Sequence, residues 1–431
     1  MSIHLMANLI FSLFTAFKNS FMNKMDSNSL KFSKMEKYLV TALAGLQFIH
    51  TVDFMVLMPL GPILVNQFKI SNEHFAYLVS AYTFAAGISA LLASTFIDRF
   101  NRKKSLLVVF SGFLFSTLLC GFAHSFYMLL LARMITGIFG GLINSMVYSI
   151  IGDVFVYERR GSAMGIVMAS FSAATVVGIP ASLFLANRFS WNLPFISLFV
   201  LGFFLLIFAV WIIPAMPAKT SKHAYSEIFT NIHHYPAFFL TLSMMLGGFS
   251  VIPYISNYLV FNTVMTQADL PMMYLFGGGA TYISSRVFGY LSDMFGKKRM
   301  FYIIAFASII PVYLISHMDK TGSKILILTV TTMFFIFISG RWVPGMALIT
   351  SSVKSHIRGS FMTVNAAIQQ LTAAAATFIG GKIITQGADH VLVGYNTVSI
   401  FSIFFTLLSL LCVYLIKLQD GFHHTESEFP E

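Results

Sequence analysis

Twelve stretches of this chain are long, apolar and nearly free of charged side chains, and each can cross a bilayer as a helix. They run Tyr38–Ile63, His74–Ile97, Ser105–Ala123, Phe126–Gly152, Gly161–Ala186, Leu193–Pro214, Ala237–Phe261, Leu270–Ser292, Met300–His317, Lys324–Thr350, Ser360–Ile384 and Tyr395–Lys417. About 18 apolar residues suffice to span the hydrocarbon as a helix. Lipid supplies no hydrogen-bond partners, so a spanning backbone must bond within itself. The pattern therefore predicts an all-α membrane protein with twelve transmembrane helices. With 57% hydrophobic and only 10% charged residues, a soluble domain is excluded.

The longest break, Ala215–Pro236, is polar and divides the runs six and six. It predicts two six-helix bundles, 38–214 and 237–417, joined by a linker over 215–236 and followed by a tail over 418–431. His223, His233 and His234 in the linker read as solvated residues rather than metal ligands. Residues 1–37 form a separate segment. Its apolar part, Ile3–Phe17, is too short to span, and a polar, Lys-bearing stretch follows. Two readings stand: an amphipathic helix on the inner leaflet, or a true start at Met25 that leaves the first 24 residues untranslated.

The net charge of +11 does not point to nucleic acid, because the basic residues sit at the ends of apolar runs. Alternate loops hold Arg99, Arg102, Lys103 and Lys104; Arg159 and Arg160; Lys219 and Lys222; Lys297, Lys298 and Arg299; and Lys354 and Arg358. The opposite loops offer Lys69, Arg188, Lys320 and Lys324. Basic loops stay on the cytoplasmic side, so both termini are expected there and the protein in the inner (plasma) membrane. Cys120 and Cys412 lie within apolar runs, far apart in sequence, and suggest neither a disulfide framework nor a metal site. No cofactor is expected, and the chain is expected to work as a monomer.

One acidic residue, Asp53, lies well inside an apolar run, in the segment FIHTVDFMVLMPLGP. A carboxylate at that depth costs about 2.5–3.5 kcal/mol on insertion scales, so it marks function by default. His50 and Gln47 precede it at intervals of three and share its helical face.

The loop Phe96–Leu107, FIDRFNRKKSLL, recurs as Leu291–Tyr302, LSDMFGKKRMFY, each after the second span of its half. Asp98 matches Asp293 and the basic triplets coincide. Repeated halves are the signature of transporters built around a midplane site. Gly296 stands where a tight turn calls for a left-handed residue, and Asn101, the next most tolerant choice, stands at the matching position. At these residues the chain resembles the major facilitator superfamily, over about Tyr38 to Lys417. The family's loop signature keeps Asp98, Arg99, Arg102 and Lys103 here, with Ser94 and Asn101 for its two glycines. A second signature resembles LLLARMITGIFGG, with Arg133 and Gly137. In the fifth span, Gly178-Ile179-Pro180 resembles the Gly/Pro signature of drug/proton antiporters and arabinose-efflux-like proteins, although Ile179 splits it. The resemblance implies two pseudo-symmetric six-helix bundles and alternating access. It also implies that Arg133 faces Asp53 in proton coupling and that Asp98, Arg99, Arg102, Lys103, Asp293 and Lys297 gate the cytoplasmic side.

The depths agree with that pairing. Burial favours the neutral acid while a nearby Arg⁺ favours the carboxylate, so a rocking motion that changes both ties proton traffic to access. A static ion pair that fixes packing is the bland alternative. His50 is a candidate relay, with a purely structural histidine equally open. Arg341 lies mid-span and Arg286 about two turns from a helix end. If they line the cavity with Asp53 as its acid, the solute carries an anionic group. Gln47, Asn144, Asn257, Asn365, Gln369 and Gln370 are neutral candidates for the same cavity. No His-Glu-x-x-His, Gly-x-Ser-x-Gly or phosphate-binding loop occurs, so protease, hydrolase and ATP-driven pump lack their parts. The expectation is a secondary transporter of a small organic solute, proton-coupled and exporting. Uptake of an anionic nutrient or metal chelate, or a non-transporting sensor, are the alternatives.

Overall fold

The computed structural model describes residues 32–93, 100–216, 225–354, 357–387 and 391–417. Most of the amino-terminal segment, Asp98, Arg99, Lys219, Lys222, His223 and the tail from 418 lie outside the described residues.

Among the described residues, twelve helices cross the molecule: α1 (Lys34–Val56), α2 (Asn72–Ala93), α3 (Arg102–Gly121), α4 (Phe126–Val154), α5 (Arg159–Arg188), α6 (Leu193–Ile212), α7 (Ile232–Asn262), α8 (Leu270–Phe295), α9 (Lys297–Ser316), α10 (Lys324–Ser351), α11 (Arg358–Ile383) and α12 (Tyr395–Leu415). Ten are both long and apolar enough to cross a membrane. The other two, α8 and α11, have 26 residues each. Their polar residues, among them Arg286, Asn365 and Gln369, keep them out of that set. One antiparallel ladder, Thr385–Gln386 with Leu392–Val393, closes the α11–α12 turn.

The main packing contacts repeat from half to half. In the first, α1 lies on α5 and α6, α2 on α4, and α3 on α4 and α6; in the second, α7 lies on α11 and α12, α8 on α10, and α9 on α10 and α12. The bundles meet along α2–α11 and α5–α8.

Several spans are broken where the sequence weakens the backbone ladder. After Val56, α1 gives way to a turn and then a separate helix, Gly61–Phe68, with Pro at its start. In α5 a π-helical segment, Ala174–Gly178, precedes Pro180. A 3-10 turn, Ile252–Tyr254, interrupts α7 at Pro253. Arg341 separates the two parts of α10, and Pro344 follows. A proline cannot donate to the preceding turn, so its neighbours find other partners.

The repeated loop differs in one respect from expectation. Gly296 does take a positive φ of 91°, but Asn101 is extended at φ −61°. Its side chain instead caps α3 by accepting from the Lys104 N–H at 3.2 Å. The linker also departs from a solvated strand of chain. It forms a helix, Tyr225–Thr230, and His234 is buried, with Nδ1 3.0 Å from the Ile228 carbonyl and its ring against Phe361.

Candidate functional site

Asp53 and Arg133 are both buried and form an ion pair, Nη1 to Oδ2 at 2.8 Å. The same Nη1 lies 3.3 Å from the Asp53 carbonyl. Thr117 of α3 donates to the other carboxylate oxygen at 3.1 Å. The guanidinium sits 4.5 Å from the centre of the Tyr82 ring, on α2. Four helices thus converge on one carboxylate. Desolvating two such charges costs several kcal/mol per ion, and the contact between them offsets part of that; among the described residues the Arg133 Nε, like that of Arg341, has no partner.

Glycines let these helices close. A Cβ on Gly137 would stand only 3.0 Å from the Tyr82 Cα, and one on Gly140 only 3.0 Å from the Tyr82 Cζ. Packing of this closeness fixes Tyr82 against α4, with its hydroxyl 3.1 Å from His50 Nε2.

The polar face of α1 continues away from Asp53. Gln47 donates to Asn144 Oδ1 of α4 at 2.5 Å, and Thr51 donates to the Gln47 carbonyl at 2.8 Å. Among the described residues, Gln47 Oε1 and His50 Nδ1 are buried without a partner. Gln47, His50 and Asp53 are all buried, Asp53 completely, so the carboxylate ends a buried polar track along α1.

Gln47, His50, Asp53, Arg133 and Asn144 are therefore brought together. The other candidates are not. Asn257 lies on the seam between bundles, donating to Asn72 Oδ1 at 2.8 Å. Asn365 is buried and accepts from Thr241 of α7 at 2.6 Å. Arg286 is exposed and folds back over Tyr282 of its own helix, 3.6 Å from the ring centre. Arg341 is buried inside the second bundle, donating to Thr406 at 2.9 Å. Gln369 and Gln370 are half-buried on α11. The cavity with surplus positive charge that was expected from Arg286 and Arg341 beside Asp53 is not assembled, because each faces a different neighbour.

Gly178 ends the π segment of α5, where a Cβ would run into Val52, the residue before Asp53. Pro180 starts the helix that follows. Of the loop residues, Arg102 pairs with Asp153 at the end of α4, at 3.0 Å. Lys103 donates to the Val210 carbonyl in the last turn of α6, at 2.8 Å. Asp293 is exposed and Lys297 half-buried. Tyr82 and Thr117 were not among the sequence candidates. Only their level in the membrane relative to Asp53 marks them, and levels are not readable before helix tilts are known.

The two bundles meet at the end of the molecule opposite the basic loops. There Glu73 of α2 pairs with Lys382 of α11, Asn72 bonds Asn257, and Asn187 of α5 donates to the Gln267 carbonyl at 3.0 Å. Deeper in, Phe54 of α1 faces Phe249 of α7, with ring centres 6.2 Å apart.

The family profile described as Major Facilitator Superfamily matches residues 43–377. An uncharacterised MFS-type transporter of Bacillus subtilis, YceJ, is 25% identical over 361 residues, covering 80% of this chain and 89% of its own. Multidrug resistance protein 1 of the same organism is 24% identical, covering 81% of this chain and 91% of its own. Among solved structures, a bacterial homolog of the human lysosomal transporter Spinster, in an inward-facing and occupied conformation, superposes with a TM-score of 0.71 at 14% identity. That match covers 90% of this chain and 97% of the other.

Proposed function

The chain belongs to the major facilitator superfamily, and from that premise we propose that it is a proton-coupled exporter of small organic solutes working by alternating access. The buried Asp53–Arg133 ion pair carries this reading. While Asp53 is ionised, it pins α1, α3 and α4 through Arg133 and Thr117. A proton arriving at Asp53 cancels its charge and leaves the Arg133 guanidinium unbalanced in a low-dielectric interior. Relaxation of that imbalance then favours a different arrangement of the bundles. The buried polar track through His50 and Gln47 is the route by which proton and solute compete for the same bundle.

We further infer that the basic loops face the cytoplasm, so the joined end is external and the solute site opens inward. The multidrug-resistance relative supports a drug-like solute. Proton-driven uptake would use the same ion pair, and the direction of the gradient effect separates the two.

Proteoliposomes with an imposed pH gradient and a panel of labelled lipophilic compounds test the reading. Export predicts solute accumulation on the side from which protons leave, and Asp53→Asn vesicles that equilibrate solute without concentrating it. Accumulation by Asp53→Asn equal to the parent's would overturn it.

A further inference from the structure

Arg341 presents the electrostatic problem of Arg133 with a different answer. Both guanidiniums are buried in the middle of a bundle. Arg133 has a carboxylate; Arg341, among the described residues, has only neutral acceptors. Its Nη1 donates to Thr406 of α12 at 2.9 Å, its Nη2 lies 3.4 Å from the Met244 carbonyl of α7, and Nε is buried without a partner. A guanidinium carries five donors and does not lose its proton inside a protein. The charge must therefore be met by something other than a described side chain.

The backbone around it is built as ion sites in membrane transporters are built. Arg341 stands at the break of α10. Opposite it, Gly247 and Gly248 precede the break of α7. Discontinuous helices at mid-membrane depth are where backbone groups become free to hold ions. Gly247 is closely packed, a Cβ there standing 3.2 Å from the Ser402 carbonyl oxygen and from Thr406 Oγ1, whereas Gly248 leaves room beside the charge. A Cβ on Gly248 would meet nothing nearer than Nη2 and Ile252 Cδ1, each at 3.6 Å, so the space takes at least a methyl group.

We propose that Arg341, with Thr406 and the Gly247–Gly248 turn of α7, forms a binding site for a singly charged anion inside the second bundle. The ligand is a carboxylate or a halide. A carboxylate accepts from Nε and Nη2 side by side, and a halide sits between the same two donors. The site depends neither on proton coupling nor on the direction of transport.

The purified full-length protein in detergent tests this. Trp342, next to Arg341, becomes the sole indole when Trp191→Phe and Trp211→Phe are combined, since the chain has three tryptophans. Sodium chloride and sodium acetate are titrated separately at constant ionic strength, balanced with the bulky anion of MES. Trp342 emission and the unfolding temperature are followed. The expected result is a saturable change in both with at least one of the two anions. A chloride response identifies a resident inorganic ion, and an acetate response the carboxylate of a solute. Arg341→Met should abolish the saturable response. Gly248→Ala keeps the charge and fits without a clash, yet fills the space, and should weaken binding about tenfold. If Arg341→Met does not fold, Gly248→Ala decides alone. No saturation with either anion, or unchanged affinity in Gly248→Ala, overturns the site.

Discussion

The hydroxyl of Tyr82 lies 3.1 Å from His50 Nε2, while the face of the same ring covers the Arg133 guanidinium at 4.5 Å. One side chain on α2 thus links the histidine of the polar track to the cation that holds Asp53. Its hydroxyl meets the histidine and its ring the ion pair, so the two contacts can be separated.

Tyr82→Phe should make that separation. It keeps the ring over Arg133, an interaction of about 1–2 kcal/mol when desolvated, and removes a hydrogen bond of about 1 kcal/mol. Membrane levels should stay near the parent's while the pH profile of gradient-driven transport shifts. Tyr82→Leu, which loses both, should also lower the unfolding temperature. Superimposable pH profiles for Tyr82→Phe and the parent would remove Tyr82 from the proton route.

Asp53 and Arg133 should be strongly coupled in stability. Removing one partner of a buried pair leaves an uncompensated charge, at about 3–5 kcal/mol. Asp53→Asn alone should therefore lower the unfolding temperature sharply. Asp53→Asn with Arg133→Gln should recover most of that loss without restoring uphill transport. A double variant as unstable as the sum of the singles would mean the two do not interact as their 2.8 Å contact implies.

How much of this was legible beforehand depends on what a one-dimensional pattern can encode. The twelve spans were, because lipid demands contiguous apolar runs. Asp53 was, because a carboxylate at that depth is rare, and Arg133 was through the family signature that carries it. The repeat was too, and its reason emerges in the fold: Lys298 donates to the Ile416 carbonyl just past α12 at 2.7 Å, as Lys103 does to Val210 in α6. A lysine in each half closes off the last carbonyls of its bundle's final helix. Azimuth was not legible. Asn257 and Arg341 lie at depths suited to a cavity, yet one faces the seam and the other the bundle interior, and only helix rotation decides between these. Tyr82 and Thr117 were missed for the same reason.

The clamp of Glu73 and Lys382 at the far end should resist acid. Lys382 and Tyr77 both donate to the Glu73 carboxylate, Tyr77 at 2.6 Å. A glutamate of ordinary pKa, about 4.3, stays ionised between about pH 7 and about pH 5. Lowering the pH from about 7 to about 5 should therefore leave this end closed. High salt should loosen it, because both side chains are substantially exposed. Spin labels at Lys69→Cys and Lys320→Cys report the separation of the two halves. Opening between those two pH values, abolished by Glu73→Gln, would contradict the assignment.

The crossing of α5 and α8 should tolerate no added side chain. A Cβ on Gly278 would lie 2.8 Å from the Thr175 carbonyl oxygen and 3.1 Å from the Val176 nitrogen, both backbone atoms of the π segment. Backbone cannot swing aside as a side-chain tip can, so Gly278→Ala must push the bundles apart or unwind the segment. Gly279, where a Cβ would meet nothing within 4 Å, is the matched control. Gly278→Ala should reach the membrane at normal levels yet transport at least about tenfold more slowly, a change of about 1.4 kcal/mol in the barrier. Gly279→Ala should behave as the parent. Because α5 and α8 touch across the seam, the defect should lie in the rocking step. Solute binding at equilibrium should then be preserved in Gly278→Ala while turnover falls. Equal losses of binding and turnover would assign the glycine to packing within the solute site instead.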